Sequence, residues 1–346
     1  MGYGTYATIA DIKGVLGITS TTDDTVMRKI AESVSLSIDN YCNRNFYVTS
    51  ATKYFDGAGR TLWIPDMLSN STFKTDDTGD GTYENVLEGT WVASTAYTVG
   101  QFVKPTTENR HSYKCTTAGT TNSTEPTWGT TLAGTTTDNT VIWTCSPTNY
   151  TLYGGGLGDS YNKLPKTRIA INPEGEYGSF ANGVGIGIEI AGSWGYGDGI
   201  SATPYVVDTT LTADISSTTA TTCTVTAITN LSAGNTILID TEQMYIYSIA
   251  TLTLTVERGV NGTTAATHQN GASLYIYQYP ANIRQACLDL SVALYVNRAR
   301  QGLQSEKIGD YSYVIRGAIR GGEMVETGMI KSMLDDTIRS YRGLRF

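Results

Sequence analysis

Apolar residues near the end of the chain recur at Ile283, Ala286, Cys287, Leu290 and Leu294, a spacing that lines them along one face of a helix. Pro280 suits a helix start and Arg298 and Arg300 suit its carboxyl end, so the pattern predicts a helix over Pro280 to Arg300. Two further helices are predicted at the beginning. Thr8 to Gly17 carries Ile9, Ile12, Val15 and Leu16 and stops at a glycine. After cap chemistry at Thr21 to Asp24, Val26, Ile30, Val34, Ile38 and Tyr41 recur at nearly every fourth position. The late stripe is expected to pack on Ile30, Val34 and Ile38. Ile330, Met333, Leu334, Ile338 and Tyr341 predict a closing helix, preceded by a loop or hairpin over Gln301 to Gly322.

Between these helices the pattern changes to alternation and turns. Lys53 to Asp66 reads as a β-hairpin turning on Asp56 to Gly59, and Gly183 to Trp194 reads as a strand with glycine on one face. Trp91 to Pro147 reads as a small all-β module. Thr209 to Tyr279 places short strands between turns and suggests a sandwich or barrel. The expected architecture is α+β: a small helical bundle with a β-hairpin element and two inserted all-β modules. Its boundaries fall at 1–88 for the first part of the body, 89–147 for the first insert, 148–203 for a β segment of the body, 204–279 for the second insert, and 280–346 for the closing helices and tail.

Composition agrees with abundant β structure, because only 16% of residues are charged while 37 are Gly and 23 are Tyr. Charge is unevenly spread. Arg298 to Phe346 holds nine Lys or Arg against six Asp or Glu, net +3, which leaves −11 for the remainder of a chain of net charge −8. An acidic body argues against general nucleic-acid binding, whereas the basic tail suits an acidic partner. Five scattered cysteines without CxxC spacing point to free thiols rather than zinc or disulfides. No apolar run approaches membrane-spanning length.

Chemistry has little material. Two histidines, His111 and His268, both read as surface turn residues, and this disfavours a triad or a metal cluster. Asp76, Thr78, Asp80 and Gly81 start a calcium-like loop, but its twelfth position is Leu87, so the stretch reads as a solvated turn. Asp66, Asp76, Asp77 and Asp80 are poor support for paired-carboxylate hydrolysis because three of them share one turn. Neither glycine cluster completes a phosphate-cradling motif. The chain is read as a non-enzyme with no cofactor and no metal. The aromatic residues Trp91, Tyr97 and Trp128 are the candidate glycan contacts, with Trp128 expected to be the most exposed.

The order of a short helix, a capped longer helix ending CNRNF, KYFDGAGRTLWIPD, KTDDTGDGTYE, NYTLYGG, IEIAGSWGYGDG and a Pro-initiated helix AxxxLxxxLYxNRxR resembles the head-tail connector, or adaptor, proteins of tailed phages. That resemblance implies a connector-like helical body assembled as a ring of twelve copies in the virion neck, made in the host cytoplasm and without a membrane. Its implied partners are the portal protein on one side, a tail-side neck or tail-terminator protein on the other, and DNA passing through the lumen without sequence-specific contacts. The segment beginning WVASTAYTVGQFVKPTTENRHSYK is similar to chitin-type carbohydrate-binding modules, and AGNTILIDTEQMYIYSIATLTLTVERGVNG is similar to a β module of phage virion proteins. The runner-up reading is therefore a virion decoration or host-polysaccharide-binding protein. Arg339, Tyr341, Arg342, Arg345 and Phe346 are the candidate portal-docking residues. Ile30, Val34, Ile38, Ile283, Cys287, Leu290 and Leu294 are the candidate packing residues of the helical body.

Overall fold

The computed structural model describes residues 4–83, 85–155, 163–180, 184–298, 305–308, 311–314, 334–335 and 338–343. The chain forms two compact units, one built from residues 1–49 and 197–346 and the other from 50–196.

In the first unit, α1 (Ile9–Leu16) starts at a capping box in which the Thr8 hydroxyl accepts from the Asp11 N–H and the Asp11 carboxylate accepts from the Thr8 N–H. α2 (Asp24–Cys42) follows, and α3 (Ala281–Asn297) begins directly after Pro280. Ile9, Ile12, Met27, Ala31 and Tyr295 join the three helices in one apolar cluster. The face of α2 that is buried is Met27, Ala31, Val34, Ser35, Ile38 and Cys42, so Val34 and Ile38 lie inward as expected, whereas Met27, Ala31 and Ser35 take the inner positions in place of Val26 and Ile30. Val26 is exposed and Ile30 is half-buried. The reason is size: Ala31 and Ser35 let α3 approach closely, and Cys287 Sγ lies 3.5 Å from Ser35 Oγ. Ile283, Cys287 and Leu290 are buried as expected, whereas Leu294 is half-buried and Ser291 and Tyr295 take the inner position.

Residues 205–277 of the same unit form six antiparallel strands in the order Tyr205–Thr210, Ser273–Tyr277, Thr236–Ile239, Glu242–Ala250, Thr253–Glu257 and Thr222–Thr224. Hydrogen bonds from Thr212 N to Thr224 O (3.0 Å) and from Thr226 N to Thr210 O (2.9 Å) join the first strand to the last, so the sheet closes on itself. Its core holds Val225, Ile237, Ile239, Met244, Ile246, Leu254 and Leu274. The amino-terminal segment is fastened to this barrel: Ile9 N donates to Ala233 O at 3.1 Å and Gly4 N to Asn261 Oδ1 at 3.1 Å.

Gly234, at φ +104°, is where the two meet, and a Cβ there would stand 2.7 Å from Thr8 Cα. Gly234→Ala is expected to lower stability by about 1–3 kcal/mol, seen as a shifted urea midpoint. An unchanged midpoint would mean that the amino-terminal segment does not sit on the barrel.

In the second unit, eight strands lie in the order Thr49–Phe55, Ile188–Trp194, Thr61–Thr75, Asn85–Thr90, Phe102–Lys104, His111–Thr117, Val141–Pro147 and Thr135–Asp138. Tyr150–Gly154 and Lys166–Ile171 branch from Thr61–Thr75. Leu62, Ile64, Phe73, Ile169, Ile190 and Trp194 build one core. Trp91, Val103, Tyr113, Cys115, Val141 and Trp143 build another. The sheet runs through both because Asn85–Thr90 pairs in parallel with Phe102–Lys104.

These features correct the expected fold. The protein is mostly β, with twenty strands and three α-helices assigned among the described residues, and it is not a small helical bundle carrying inserts. The core shared by α1, α2 and α3 is small, and the barrel supplies the larger apolar cluster of that unit. The hairpin expected at Lys53 to Asp66 does not form, since Ile188–Trp194 lies between the two strands. Gly192 explains the intrusion, because a Cβ there would come within 2.1 Å of Ser69 O. All five cysteines are free and buried. Among the described residues no helix is long and apolar enough to cross a membrane.

Candidate functional site

The described part of the tail lies against the end of α2. Gly343 N donates to Cys42 O at 2.7 Å, capping a helix terminus that would otherwise leave a carbonyl unpaired. Tyr341 meets Phe46 edge-on with ring centroids 5.8 Å apart, and the Arg342 guanidinium lies 5.3 Å from the centre of the Tyr41 ring. Tyr41 donates its hydroxyl to Asp335. Leu334 and Ile338 are buried, while Arg339 and Arg342 are exposed. Tyr341 is therefore divided between packing and surface, and the two arginines stand outward beside it. Arg345 and Phe346, together with Ile330 and Met333 of the expected closing helix, lie outside the described residues.

Beneath this junction is a polar cluster that periodicity did not reveal. Tyr6 donates its hydroxyl to Asp39 Oδ1 at 2.6 Å and accepts from the Phe46 N–H at 3.2 Å. Burial pushes the Asp39 carboxyl up to about 7, against the hydrogen bonds from Tyr6 and the Phe46 backbone. It also raises the Tyr6 phenol well above its ordinary value. The rings of Phe46 and Tyr279 stand edge-on to Tyr6, with centroids 5.7 and 4.8 Å away. A Tyr and an Asp separated by 33 residues carry no local signal of pairing.

The candidate glycan aromatics are brought together, but as part of a core. Trp91 is 7% exposed and donates through Nε1 to Asp138 Oδ2 at 2.8 Å, an acceptor it shares with Trp143. Tyr97 meets Trp143 edge-on at 5.0 Å. Trp128 is half-buried, lies 4.2 Å from the Tyr113 ring and donates to Glu125 Oε1 at 2.8 Å. Tyr97 and Trp128 keep part of their surface.

The remaining polar candidates resolve as follows. His268, expected in a surface turn, is 1% exposed, with Nδ1 2.7 Å from Asp240 Oδ2 and Nε2 2.9 Å from Glu242 Oε2. Its inward register beside the bridge at Ile215 fixes that position, and only the folded barrel defines the bridge. His111 is half-buried, with Nδ1 against Asn109 O at 3.0 Å. Burial alone would raise the Asp76 carboxyl, but the N–H groups of Gly79, Gly81 and Thr78 outweigh it and hold it below its ordinary value. The stretch is thus a turn organised by its first carboxylate. Among the described residues no cluster of three or more His, Cys, Asp or Glu is arranged to hold a metal ion. No protein family, curated protein or solved structure shows a match to this chain.

Proposed function

We propose that this chain is a structural virion protein, a head-tail connector whose copies form a ring, of twelve subunits by the resemblance, that joins the portal vertex of a capsid to the tail and surrounds the DNA exit path. The observation that supports this reading most is the return of the chain to its own beginning. Ser35 and Cys287 are 252 residues apart in sequence yet in contact, so α1, α2 and α3 form one helical element after long β excursions. This is the element order on which the resemblance to connectors rests. A net charge of −11 over the first 297 residues would keep such a ring from trapping phosphates. The exposed Arg339 and Arg342 provide charged anchors for an acidic portal surface.

Native mass spectrometry and electron microscopy of the protein mixed with its portal test the proposal, and the expected result is a ring seated on the portal. A protein that stays monomeric alone and with the portal would end it. The tail has its own test. Arg339→Ala combined with Arg342→Ala is expected to weaken portal binding at least about tenfold, while stability changes by less than about 0.5 kcal/mol. Unchanged binding would place docking elsewhere on the molecule.

A further inference from the structure

A cavity of about 400 Å³ opens in the second unit, beside the strands Tyr150–Gly154 and Lys166–Ile171 and the stretch from Lys104 to His111. That volume falls within the about 300–1,000 Å³ typical of ligand pockets. Its lining residues Glu88, Lys104 and Tyr150 are buried and fixed by bonds to Ser112 and Asn70 behind them. Ser112 Oγ donates to Glu88 Oε2 at 2.5 Å. Lys104 Nζ donates to Asn70 Oδ1 at 2.8 Å and to Glu108 Oε1 at 3.1 Å, and Asn70 Nδ2 donates to the Tyr150 hydroxyl at 2.6 Å. Glu88 and Lys104 are 4% and 8% exposed, so these groups are held in place inside the fold rather than waving in solvent.

Hydrogen-bonding capacity is left over on these groups. Tyr150 accepts from Asn70 and still has its own O–H to donate, Lys104 has a third N–H, and Glu88 has a second oxygen. The half-buried Tyr153 also lines the cavity, its ring centre 4.1 Å from the Arg168 guanidinium. Donors and acceptors thus line one concavity together with an aromatic ring.

Charge narrows the ligand class. Lys104 and Lys166 face Glu88 and Glu108, so neither sign dominates the inner wall. Burial moves two of these groups toward neutrality, raising the Glu88 carboxyl to about 7 and lowering Lys166. An anion would need donors without carboxylates beside them, and a cation would need carboxylates without lysines. A sugar hydroxyl both donates and accepts, and it fits between such groups without bringing a charge of its own.

We propose that this cavity binds a neutral oligosaccharide, with Glu88, Lys104 and Tyr150 hydrogen-bonding the hydroxyls of one pyranose ring and Tyr153 and Lys166 bordering the next. The site is separate from the Trp91, Tyr97 and Trp128 cluster, and it does not depend on ring assembly.

Isothermal titration calorimetry on the full chain with cellotriose, maltotriose, chitotriose and trigalacturonate provides the test. At least one neutral trimer is expected to bind with a sub-millimolar Kd, and trigalacturonate more weakly. Tyr153→Ala and Lys166→Ala change partly exposed residues, and each is expected to weaken that binding at least about tenfold, the effect of losing one or two good contacts. Circular dichroism of each variant verifies that the fold persists, and Glu88→Gln, which keeps the acceptor for Ser112, is a third probe of the lining. Failure of all three neutral trimers to bind would overturn the proposal, as would tighter binding of trigalacturonate. Binding that survives Tyr153→Ala and Lys166→Ala but is lost in Trp128→Ala would overturn it too, by moving recognition to the Trp-rich core.

Discussion

Arg258→Met is expected to destabilise the barrel-bearing unit by about 3–5 kcal/mol, because it strands a carboxylate that water cannot reach. Glu242 has no exposed side-chain surface and Arg258 only 7%. The guanidinium grips both carboxylate oxygens, Nε to Oε1 and Nη2 to Oε2, each at 2.7 Å. The backbone N–H groups of Gly259 and Ala266 and the His268 ring complete the shell of Glu242 at 3.0, 2.9 and 2.9 Å. Nη1 of Arg258 also holds the carbonyls of Ser217 and Ala220 at 3.1 and 3.0 Å, which ties a loop to the barrel. Burial alone would raise the Glu242 carboxyl, yet the bonds from Arg258, Ala266 and His268 hold it below its ordinary value. Urea denaturation measures the loss. Adding Glu242→Gln to Arg258→Met is expected to recover at least about 1 kcal/mol, since the second change removes the stranded charge. A single-variant loss under about 1 kcal/mol would show that Glu242 is not a buried ion held by Arg258.

Stability is expected to fall between pH 5 and pH 8, and Asp39→Asn is expected to remove much of that fall. Burial raises Asp39 from 3.8 to about 7 and Glu88 from 4.5 to about 7, so the folded chain holds these protons more tightly than the unfolded one. The stability linked to them is fully present below the unfolded values and is lost as pH rises through about 7. The carboxylates of Glu242 and Asp76 are shifted the other way, and their contribution is lost only in acid. The window above pH 5 therefore reports the raised pair. Asparagine keeps the acceptor for the Tyr6 hydroxyl and has nothing to ionise. At pH 8 the variant should exceed the parent by up to about 4 kcal/mol, on the order of three pKa units at about 1.4 kcal/mol each, and at pH 5 by only about 1–2 kcal/mol, because pH 5 lies little more than one unit above the unfolded value. Parallel melting curves at pH 5 and pH 8 decide it. Equal pH dependence in parent and variant would remove Asp39 from the account.

Local order was legible where one period and one cap agree. α1 was readable to within a residue because Thr8 and Gly17 flank its two ends. α3 was readable because Pro280 and an unbroken apolar stripe mark its start and face. On α2, Val34 and Ile38 are buried as expected, whereas Met27, Ala31 and Ser35 take the inner positions in place of Val26 and Ile30, since Ala31 and Ser35 do not stand out as apolar and are chosen by the approach of α3. The strand texture of 205–277 was also legible, but closure of that sheet depends on hydrogen bonds between Thr212 and Thr224 that alternation does not encode.

The candidate sites were less legible than the helices. His268 sits in a Thr-Ala-rich run of ordinary polarity, and its burial follows only from the positions of Asp240 and Glu242 across the barrel. The cavity of the second unit draws Glu88, Lys104, Tyr150 and Lys166 from separate strands, with no spacing to connect them. The Trp-rich stretch announced its aromatic residues, and the fold alone decided that Trp91 and Trp143 share a buried carboxylate.

By itself the sequence determined which segments could be helix or strand and that charge is divided between an acidic body and a basic tail. Those properties depend on neighbours a few residues apart or on composition. Tertiary structure alone decided that the three helices pack on one another as the smaller part of a mostly β protein, that Ile188–Trp194 separates two expected hairpin partners, and which polar groups are buried. The physical reason is one of range: periodicity records which face of an element is apolar, whereas the partner of that face is selected by shape and hydrogen bonding between residues up to hundreds of positions apart.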